Sequence, residues 1–378
     1  MIRVVMILAL LIVAFSMTPA TADAQAPYTF TLIADQVSCA FPCEGYLPGL
    51  AVNAGGTVAF KGCVGPSPAR RCGIVAGRGR ALTVIAGLKA NLGRGQIEAG
   101  PFDWVSPPAI NDLGIVAFYG CDQTRGCGLY LGRSGLTLLL VAEREPWSGV
   151  GSQLWSPGMS LSTVVFWGCR GQECGIFQLG SRGFTLVAAN AAGLFSVNEA
   201  GTVAYSKCDD GGCHIFTNRN GATTLIADVL WRPGTFGPNV PAIDAADNVT
   251  FMSCRDARCE DGWSILLRRP GGPVTSLVET SRFGGSIFGP MIGSGRVAFY
   301  GCADGCGLFR GPDPLTDGIL VDGDLLLGAT VAGICCFGPP FIFVLENEDL
   351  NEKGQIGVWA TLSDGRSVIV RADPVRRR

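Results

Sequence analysis

A short apolar phrase, Val-Ala-Phe or a close variant of it, returns seven times along the chain. Its copies begin at Val58, Val116, Val164, Val203, Val249, Val297 and Ile356, at intervals of 39 to 59 residues. A repeat of this length that holds several short strands is typical of a β-propeller blade. The repeat constrains the fold strongly, because each unit must bury its apolar faces against the next unit.

Each copy predicts four strands, which we name A, B, C and D. The Val-Ala-Phe phrase is strand B, and a turn with Asn and Gly precedes it, as at Asn111 and Gly114. Asn and Gly tolerate positive φ, so this turn predicts a tight hairpin between strands A and B. Strand C follows with a cysteine at its start, and a glycine turn leads to strand D. The pattern therefore predicts four-stranded antiparallel blades.

The two ends of the chain predict a closed ring. The last copy stops after its C strand, near Pro374, and lacks a D strand. The N-terminal segment Tyr28–Asp35 reads YTFTLIAD and matches the D-strand segment TTLIAD that starts at Thr223. We therefore predict an all-β protein, a seven-bladed β-propeller in which the N-terminal strand completes the last blade. Residues 25–378 form its single domain.

The cysteines fall into six close pairs and four remaining residues. Each pair lies between strands B and C, which predicts one disulfide clamp per B–C hairpin worth roughly 2–3 kcal/mol. The six pairs are Cys63/Cys72, Cys121/Cys127, Cys169/Cys174, Cys208/Cys213, Cys254/Cys259 and Cys302/Cys306. The four others are Cys39, Cys43, Cys335 and Cys336. We expect the first two to bridge to the last two across the closure, with Cys39–Cys43 and a vicinal Cys335–Cys336 as alternatives.

The N-terminus is expected to be a signal peptide of residues 1–24. Arg3 is followed by the apolar run Val4–Phe15, and Ala22-Asp23-Ala24 forms a small-residue cleavage site. A retained N-terminal anchor is the alternative. No later stretch is long and apolar enough to span a bilayer. We expect an exported protein, periplasmic or extracellular, and paired cysteines agree with that oxidising environment.

Composition and motifs argue against several function classes. The formal net charge is −2, only 16% of residues are charged, and the basic residues cluster only at Arg376–Arg378. Nucleic acid is therefore not an expected partner, since it requires a concentrated basic patch. No P-loop, dinucleotide fingerprint or G-x-S-x-G occurs, so we predict no cofactor and assign no catalytic residue. The chain has one histidine, and its cysteine pairs lie in separate repeats. We therefore predict no metal site, because such a site needs several of these ligands together.

The motif Asn-x-x-Gly-x-x-Ala-Phe stands intact at 53–60 and 111–118, and with Tyr at 198–205. The chain thereby resembles the NxxGxxAF tandem-repeat proteins, a choice-of-anchor family of exported bacterial proteins with varied C-terminal anchors. The third, fifth and sixth copies depart from the motif, with Ser162, Asp244 and Ile292 near the Asn position. The resemblance covers most of the mature chain and implies no known activity.

Binding residues are expected on the face that carries the D–A and B–C connections, because the opposite face has only tight glycine turns. We place four tryptophans in D–A connections, where exposed indoles would stack on sugars or grip peptide side chains. They are Trp104, Trp147, Trp155 and Trp231. Packing between blades is the alternative for these tryptophans, and it is favoured for the recurring residues Phe102, Phe236 and Phe288.

Acidic residues offer a second group of candidates. Glu346, Glu348 and Asp349 are expected to begin the seventh A strand near the central channel, where paired carboxylates would serve a glycosidase or simply line a wet channel. His214 is expected to be a structural strand residue. The B–C loops carry acidic residues that would hold Ca²⁺ or, as we favour, remain solvated. They are Asp209, Asp210, Asp256, Glu260, Asp261 and Asp304.

The sequence thus leads to one functional expectation and two alternatives. We expect a secreted, non-enzymatic propeller that binds an envelope glycan or a protein. The first alternative is a carbohydrate-active hydrolase or lyase with its site at the channel mouth. The second alternative is a purely structural surface protein.

Overall fold

Antiparallel sheets account for most of the described chain. The computed structural model describes residues 28–35, 49–64, 71–79, 81–91, 96–99, 101–144, 146–148, 157–181, 183–191, 195–209, 212–230, 241–256, 259–284, 286–302, 305–334 and 349–375. These residues build seven four-stranded blades that form a seven-bladed β-propeller, as predicted. In the described part of the chain, no helix is long and apolar enough to cross a membrane.

Strands B and C form the centre of every blade. The B strands are Val58–Val64, Val116–Asp122, Val164–Arg170, Val203–Asp209, Val249–Cys254, Arg296–Cys302 and Ile356–Leu362. The C strands are Arg71–Gly77, Gly126–Arg133, Glu173–Gly180, Gly212–Arg219, Trp263–Arg268, Cys306–Phe309 and Ser367–Pro374. All seven B strands carry the repeated apolar phrase, because its two faces contact the two neighbouring blades.

Strands A and D flank this centre on the inside and the outside of the ring. The D strands are Leu82–Ala86, Leu136–Ala142, Gly183–Ala189, Ala222–Val229, Val274–Glu279, Gly318–Val321 and, in blade 7, Tyr28–Asp35. The A strands are Leu50–Val52, Phe102–Val105 with Ala109–Ile110, Trp147–Ser148 with Gly158–Met159, Phe195–Val197, Ala242–Ile243, Ile287–Gly293 and Ala329–Ile334. The remaining elements are the hairpin Leu88–Asn91 and Gln96–Ala99, the short strand Leu325–Leu326 and a 3₁₀ turn at Thr280–Arg282.

The N-terminal strand closes the ring, which confirms that prediction. Tyr28–Asp35 runs antiparallel to Ser367–Pro374, with Tyr28 opposite Pro374 and Asp35 opposite Val368. Residue Ile33 of this strand then packs with Phe60 of blade 1 in one apolar cluster. The strand that completes blade 7 therefore also contributes to the interface with blade 1.

Alternation along strand B explains how each blade binds two neighbours. Val116 and Phe118 belong to the core between blades 1 and 2, whereas Ala117 and Tyr119 belong to the core between blades 2 and 3. All four side chains are fully buried. Successive residues of a strand point to opposite faces of the sheet, so one phrase serves both interfaces.

Strand A of blade 7 begins earlier than the sequence suggested, and this prediction was wrong. We expected Glu346, Glu348 and Asp349 at its start. Instead Ala329–Ile334 pairs with the second half of strand B, and Leu350 makes an isolated bridge to Ile356. The physical reason is burial, because Val331 and Ile334 are 3% and 1% exposed and supply the apolar side chains that this edge of the blade needs.

Blade 3 has the same divided strand A. Trp147–Ser148 pairs with the end of strand B, and Gly158–Met159 pairs with its beginning. Residue Trp155 therefore lies in sequence between two parts of strand A, and not in the D–A connection where we predicted it. Both divided strands return to the sheet just before the A–B turn, which keeps that turn in register.

Disulfides join all six predicted pairs. In five blades the two cysteines face each other across strands B and C, as Cys121 and Cys127 do. Blade 5 differs, because strand C starts only at Trp263 and Cys259 lies in the loop with φ of 57°. The predicted bridges of Cys39, Cys43, Cys335 and Cys336 fall outside the described residues.

Besides forming the predicted disulfide clamps, Cys72 and Cys213 also pack in the apolar clusters between blades. Cys72 packs against the core cluster between blades 1 and 2. Cys213 is 6% exposed and is a member of the cluster between blades 4 and 5. The physical reason is that both residues lie in strand C, where one face of the sheet meets the next blade and cysteine packs as a small hydrophobic residue.

Candidate functional site

The two faces of the ring carry different types of connection between strands. The A–B turns occupy one face, next to the A strands that approach each other around the axis. The D–A connections and the disulfide-clamped B–C hairpins occupy the other face.

The motif asparagine organises its own turn. Asn111 Oδ1 accepts hydrogen bonds from the main-chain N–H groups of Leu113 and Ile115, at 3.1 and 3.0 Å. Gly114, at φ of 73°, donates to the Asn111 carbonyl at 2.9 Å. A side-chain oxygen that satisfies turn amides is a common role of Asn, and positive φ explains the glycine.

The same side chain also reaches the next blade. Asn53 Nδ2 donates to the Asn111 carbonyl at 3.0 Å, and Asn111 Nδ2 donates to the Ser160 carbonyl at 3.4 Å. Asn198 Nδ2 donates to the Asp244 carbonyl at 2.9 Å. Ser160, rather than Ser162, therefore stands at the Asn position in blade 3. The motif encodes both a turn and a bond between blades.

Three carboxylates on this face extend the pattern, and sequence reasoning missed them. Asp112, Glu199 and Glu352 each follow a motif asparagine. Their oxygens accept main-chain N–H bonds from the preceding blade: Ala54 at 2.6 Å, Leu161 at 3.1 Å and Ser294 at 2.6 Å. An acid directly after Asn in three of the seven turns was the signal that would have found them.

The central opening of the ring on this face, here called the mouth, is narrow enough for Glu352 of blade 7 to reach two other blades. Its Oε1 accepts from the Ala245 N–H of blade 5 at 2.7 Å, while its Oε2 holds Ser294 of blade 6. Burial, followed by the charge of Asp112 and then that of Glu352, raises the pKa of Glu199 to about 7, and a hydrogen bond from Leu161 opposes the rise. Asp112 and Glu352 thus disfavour the ionised form of Glu199 across the mouth.

The opposite face holds Trp104, the one predicted tryptophan that is described and partly exposed. It lies in strand A of blade 2, opposite Cys121, and not in a connection. The Lys61 ammonium of blade 1 lies 5.5 Å from the centre of its ring. The residue is half-buried against the core between blades 2 and 3, so part of the indole faces the surface beside a clamped hairpin.

Trp147 has a different environment from the predicted one. It belongs to strand A of blade 3 and is 8% exposed. Its ring lies 4.9 Å from the rings of Phe177 and Phe184, and 5.4 Å from that of Phe166. This is the packing alternative, and such a ring presents no free face to a ligand. Trp155 and Trp231 fall outside the described residues.

The predicted packing role of the recurring phenylalanines is confirmed where it is described. Phe102 is 1% exposed and Phe288 is 8% exposed. The Phe102 ring lies 4.9 Å from that of Tyr130, and the Arg125 guanidinium lies over both rings. Phe236 lies outside the described residues.

The predicted acids of blade 7 are only partly described. Asp349 is 7% exposed, and its carbonyl accepts from the Gly357 N–H at 2.9 Å. It therefore lies within the blade and does not project into solvent. Glu346 and Glu348 fall outside the described residues, so the hydrolase alternative remains a prediction.

His214 lies in strand C of blade 4, as expected, with carboxylates on both sides. Its Nδ1 lies 2.7 Å from Asp228 and its Nε2 lies 3.7 Å from Asp209. In the B–C loop of blade 5, Asp256 accepts from the Asp261 N–H at 2.6 Å, and Glu260 is exposed. Asp210 and Asp304 are outside the described residues. Within the described ranges no group of three or more His, Cys, Asp or Glu side chains is placed to hold a metal ion.

Comparisons with known proteins assign neither a family nor an activity. No protein-family model and no curated sequence matches the chain. A structure of two prolyl endopeptidases is similar over 93% of this chain and 51% of its own, with a TM-score of 0.46 and 10% identity. The structure of the polysaccharide lyase Uly1 is similar over 92% of this chain and 98% of its own, with a TM-score of 0.46 and 8% identity.

A third similar structure is dipeptidyl peptidase 4 of Porphyromonas gingivalis, over 75% of this chain and 53% of its own, with a TM-score of 0.43 and 8% identity. The chain thus spans about half the length of the two peptidase structures.

Proposed function

We propose that the protein is an exported, non-enzymatic propeller that binds an envelope glycan on the face of its D–A connections and B–C hairpins. The observation that carries this proposal is the difference in length between the connections on the two faces. The segments 36–49, 87–101 and 230–241 all join a D strand to an A strand. Every A–B turn, by contrast, is a tight hairpin.

The A–B face has little left to offer a ligand. Its asparagine amides, its turn N–H groups and its three carboxylates are already bonded to neighbouring blades. A group that stabilises the ring cannot also be released to a ligand without cost. This supports the other face as the place of recognition.

The B–C hairpins give that face a rigid frame. A disulfide closes each of six hairpins, so their conformational freedom is reduced before any ligand arrives. A pre-organised surface loses less entropy on binding. The disulfides also support export, since such bonds persist in oxidising compartments.

Trp104 and Lys61 supply the chemistry expected of a sugar site. An indole face stacks on the apolar side of a sugar ring, and an ammonium donates to its hydroxyl or carboxylate oxygens. The two side chains come from different blades and meet at 5.5 Å. A glycan lying across blades 1 and 2 would contact both.

A glycan array incubated with the mature, oxidised protein tests the proposal, with the products examined by mass spectrometry. We expect binding without cleavage and a loss of roughly tenfold or more in affinity for Trp104→Ala, because truncating a tryptophan anchor of a binding interface typically costs about 2 kcal/mol or more. Leu113→Ala is the matched control, since Leu113 is 56% exposed in the A–B turn of the same blade.

Four outcomes would count against the proposal. Cleaved products would favour the hydrolase or lyase alternative. Equal losses of affinity for both variants would remove Trp104 from the site. Self-association with no glycan bound would favour the purely structural role, and a purified protein ligand in place of a glycan would correct the ligand class.

A further inference from the structure

Strand D of blade 2 presents an unpaired backbone edge at the outside of the ring. Its residues, Leu136–Ala142, form the last strand of their sheet and pair on one side with strand C. No strand in the described part of the chain pairs with the other side. An edge strand of this kind offers its N–H and C=O groups to a further strand, which another chain can supply.

This edge is also apolar. The strand reads LTLLLVA and contains no charged residue and no proline. Leu136 and Leu138 lie on the same face of the strand and are 79% and 61% exposed. Large apolar side chains that lie together in solvent beside unpaired backbone groups mark a surface that a partner covers.

The other D strands are better protected against pairing. Those of blades 1 and 6 are short, with five and four residues. Those of blades 4, 5 and 7 each contain an acidic residue, namely Asp228, Glu279 and Asp35. Short length and charge are common protections of an edge strand. Strand D of blade 3 is long and uncharged, but the Phe184 ring in it packs 4.9 Å from that of Trp147. Blade 2 therefore has the least protected edge.

Opposite charges flank strand D of blade 2. Arg133 lies before the C–D turn that leads into the strand, Glu143 follows the strand directly, and both are exposed. Neither side chain forms an ion pair or a hydrogen bond with the described part of the chain. In blade 4, by contrast, Arg219 and Asp228 at the ends of strand D contact other side chains of the same molecule.

This order of charges fits an identical strand. In an antiparallel pair of identical strands, the start of each strand lies beside the end of the other. A strand with a cation before it and an anion after it therefore meets the opposite charge at both ends, and opposite charges across a strand pair are favourable. A second copy of the chain supplies this arrangement through a two-fold axis, the commonest symmetry of protein dimers.

We propose that strand D of blade 2 pairs antiparallel with the same strand of a second copy of this chain, so that two propellers form a dimer through one continuous sheet. A two-fold axis at Leu138 places Leu136 opposite Leu140 of the second copy. The same register places Arg133 beside Glu143 of the second copy. The pairing thus satisfies the free backbone groups, covers the exposed leucines and joins two pairs of opposite charges.

The local backbone suits this centre of pairing. The ladder between strands C and D is regular from Leu136 to Leu139, and its one irregularity follows at Leu140. Leu138 lies within the regular stretch. The dimer is also separate from the proposed glycan site, because Trp104 lies in strand A, at the opposite edge of the same sheet. The two proposals can therefore fail independently.

Sedimentation velocity of the mature, oxidised protein over a series of concentrations tests the dimer. We expect a monomer–dimer equilibrium with a dissociation constant in the micromolar range, because one pair of strands makes a small interface. Leu138→Lys should raise this constant by roughly tenfold or more, since two like charges would then face each other. Leu225→Lys, at an exposed position of strand D in blade 4, is the matched control and should keep the wild-type constant.

A charge swap tests the arrangement of the two strands. Arg133→Glu brings two acids together at each end of the pair and should weaken the dimer by roughly tenfold. Adding Glu143→Arg restores opposite charges and should return the dissociation constant close to the wild-type value. A double variant that associates no better than Arg133→Glu would overturn the antiparallel pairing.

The wild-type protein decides the dimer even if a variant fails to fold. A wild type that stays monomeric at every concentration would overturn the proposal. A dimer that Leu138→Lys leaves unchanged, or that Leu225→Lys disrupts equally, would also overturn it, because the contact would then lie elsewhere on the molecule.

Discussion

The side-chain amide of Asn351 donates a hydrogen bond of 2.7 Å to the main-chain carbonyl of Asn53, and this bond joins blade 7 to blade 1. The two residues are 298 positions apart and occupy the same place in their repeats. The closure thus uses the same bond that joins consecutive blades. The N-terminal strand adds a second connection at the outer edge of blade 7.

Removing the donor of this bond should destabilise the ring. Asn351→Asp keeps the oxygen that accepts from Lys353 and Gln355 but removes the amide donor, so the Asn53 carbonyl keeps only the Gly56 N–H. We expect a loss of about 0.5–1.5 kcal/mol in the free energy of unfolding. Chemical denaturation measures it, and Asn220→Asp, in an exposed C–D turn, is the control that should change little. Equal stability of both variants would mean that the bond does not contribute to closure.

The acid dependence of blade 2 should follow Asp122. Burial raises the pKa of Asp122, but hydrogen bonds from Arg125 and Thr124 outweigh it and hold the pKa well below its usual range. The stabilisation is therefore present above the ordinary Asp pKa and lost as pH falls further. Asp122→Asn should cost about 1.5–3 kcal/mol at pH 7, and less below pH ~4.

Denaturation curves of Asp122→Asn at pH 7 and pH 3 provide this test. Asp103→Asn, an exposed change in the same blade, should have nearly the same small effect at both values. If Asp122→Asn lowered the free energy of unfolding relative to the wild type as much at pH 3 as at pH 7, packing and not the carboxylate charge would be responsible.

One disulfide can be removed without disturbing the others. Cys121→Ala with Cys127→Ala opens the hairpin of blade 2, and the short loop predicts a loss of about 2 kcal/mol. Blade 7 has Thr361 and Ser367 paired at the end of its B–C hairpin and no cysteine. The fold should therefore persist in the variant, with a lower denaturation midpoint. If the double variant were completely unfolded at 25 °C, the disulfide would be required for the hairpin to form, which contradicts its proposed role as an added clamp.

Two of the predicted site tryptophans, Trp104 and Trp147, should separate folding from binding. Trp147→Ala leaves a cavity among Phe166, Phe177 and Phe184 and should cost about 3–5 kcal/mol. Trp104→Ala removes a half-buried ring and should cost clearly less. Thermal unfolding of both variants measures the difference, and similar losses would mean that Trp104 is also a core residue.

The parts of the fold that the sequence predicted are those with a local cause. A tight turn needs Asn and Gly at fixed positions, and Asn53 and Gly56 supply them. A disulfide hairpin needs two nearby cysteines, and Cys169 and Cys174 supply them. These requirements hold within a few residues, so they can be read from the chain directly.

The parts that were missed depend on contacts between distant residues. Strand A of blade 7 was misplaced because Val331 finds its partner, Leu362, only across the sheet. Trp147 was taken for a loop residue because nothing near it in sequence reveals the three phenylalanines around it. Glu199 and Glu352 were missed because their interaction exists only once the ring has closed.

The core role of two clamp cysteines was missed for the same reason. The spacing of Cys208 and Cys213 predicts their bond, but it does not show which face of strand C meets a neighbour. Cys213 is buried by the cluster that includes Ile243 and Phe251 of blade 5, and Cys72 packs against the cluster that includes residues of blade 2. These contacts form only when adjacent blades dock.

Hydrogen exchange with a glycan selected from the array tests whether the ligand binds on the face of the D–A connections and B–C hairpins. We expect the ligand to slow exchange in strand Phe102–Val105 and in the B–C hairpins of blades 1 and 2, and to leave the A–B turns at 111–115 and 198–202 unchanged. Slower exchange confined to those turns would place the binding site on the opposite face and contradict the proposed function.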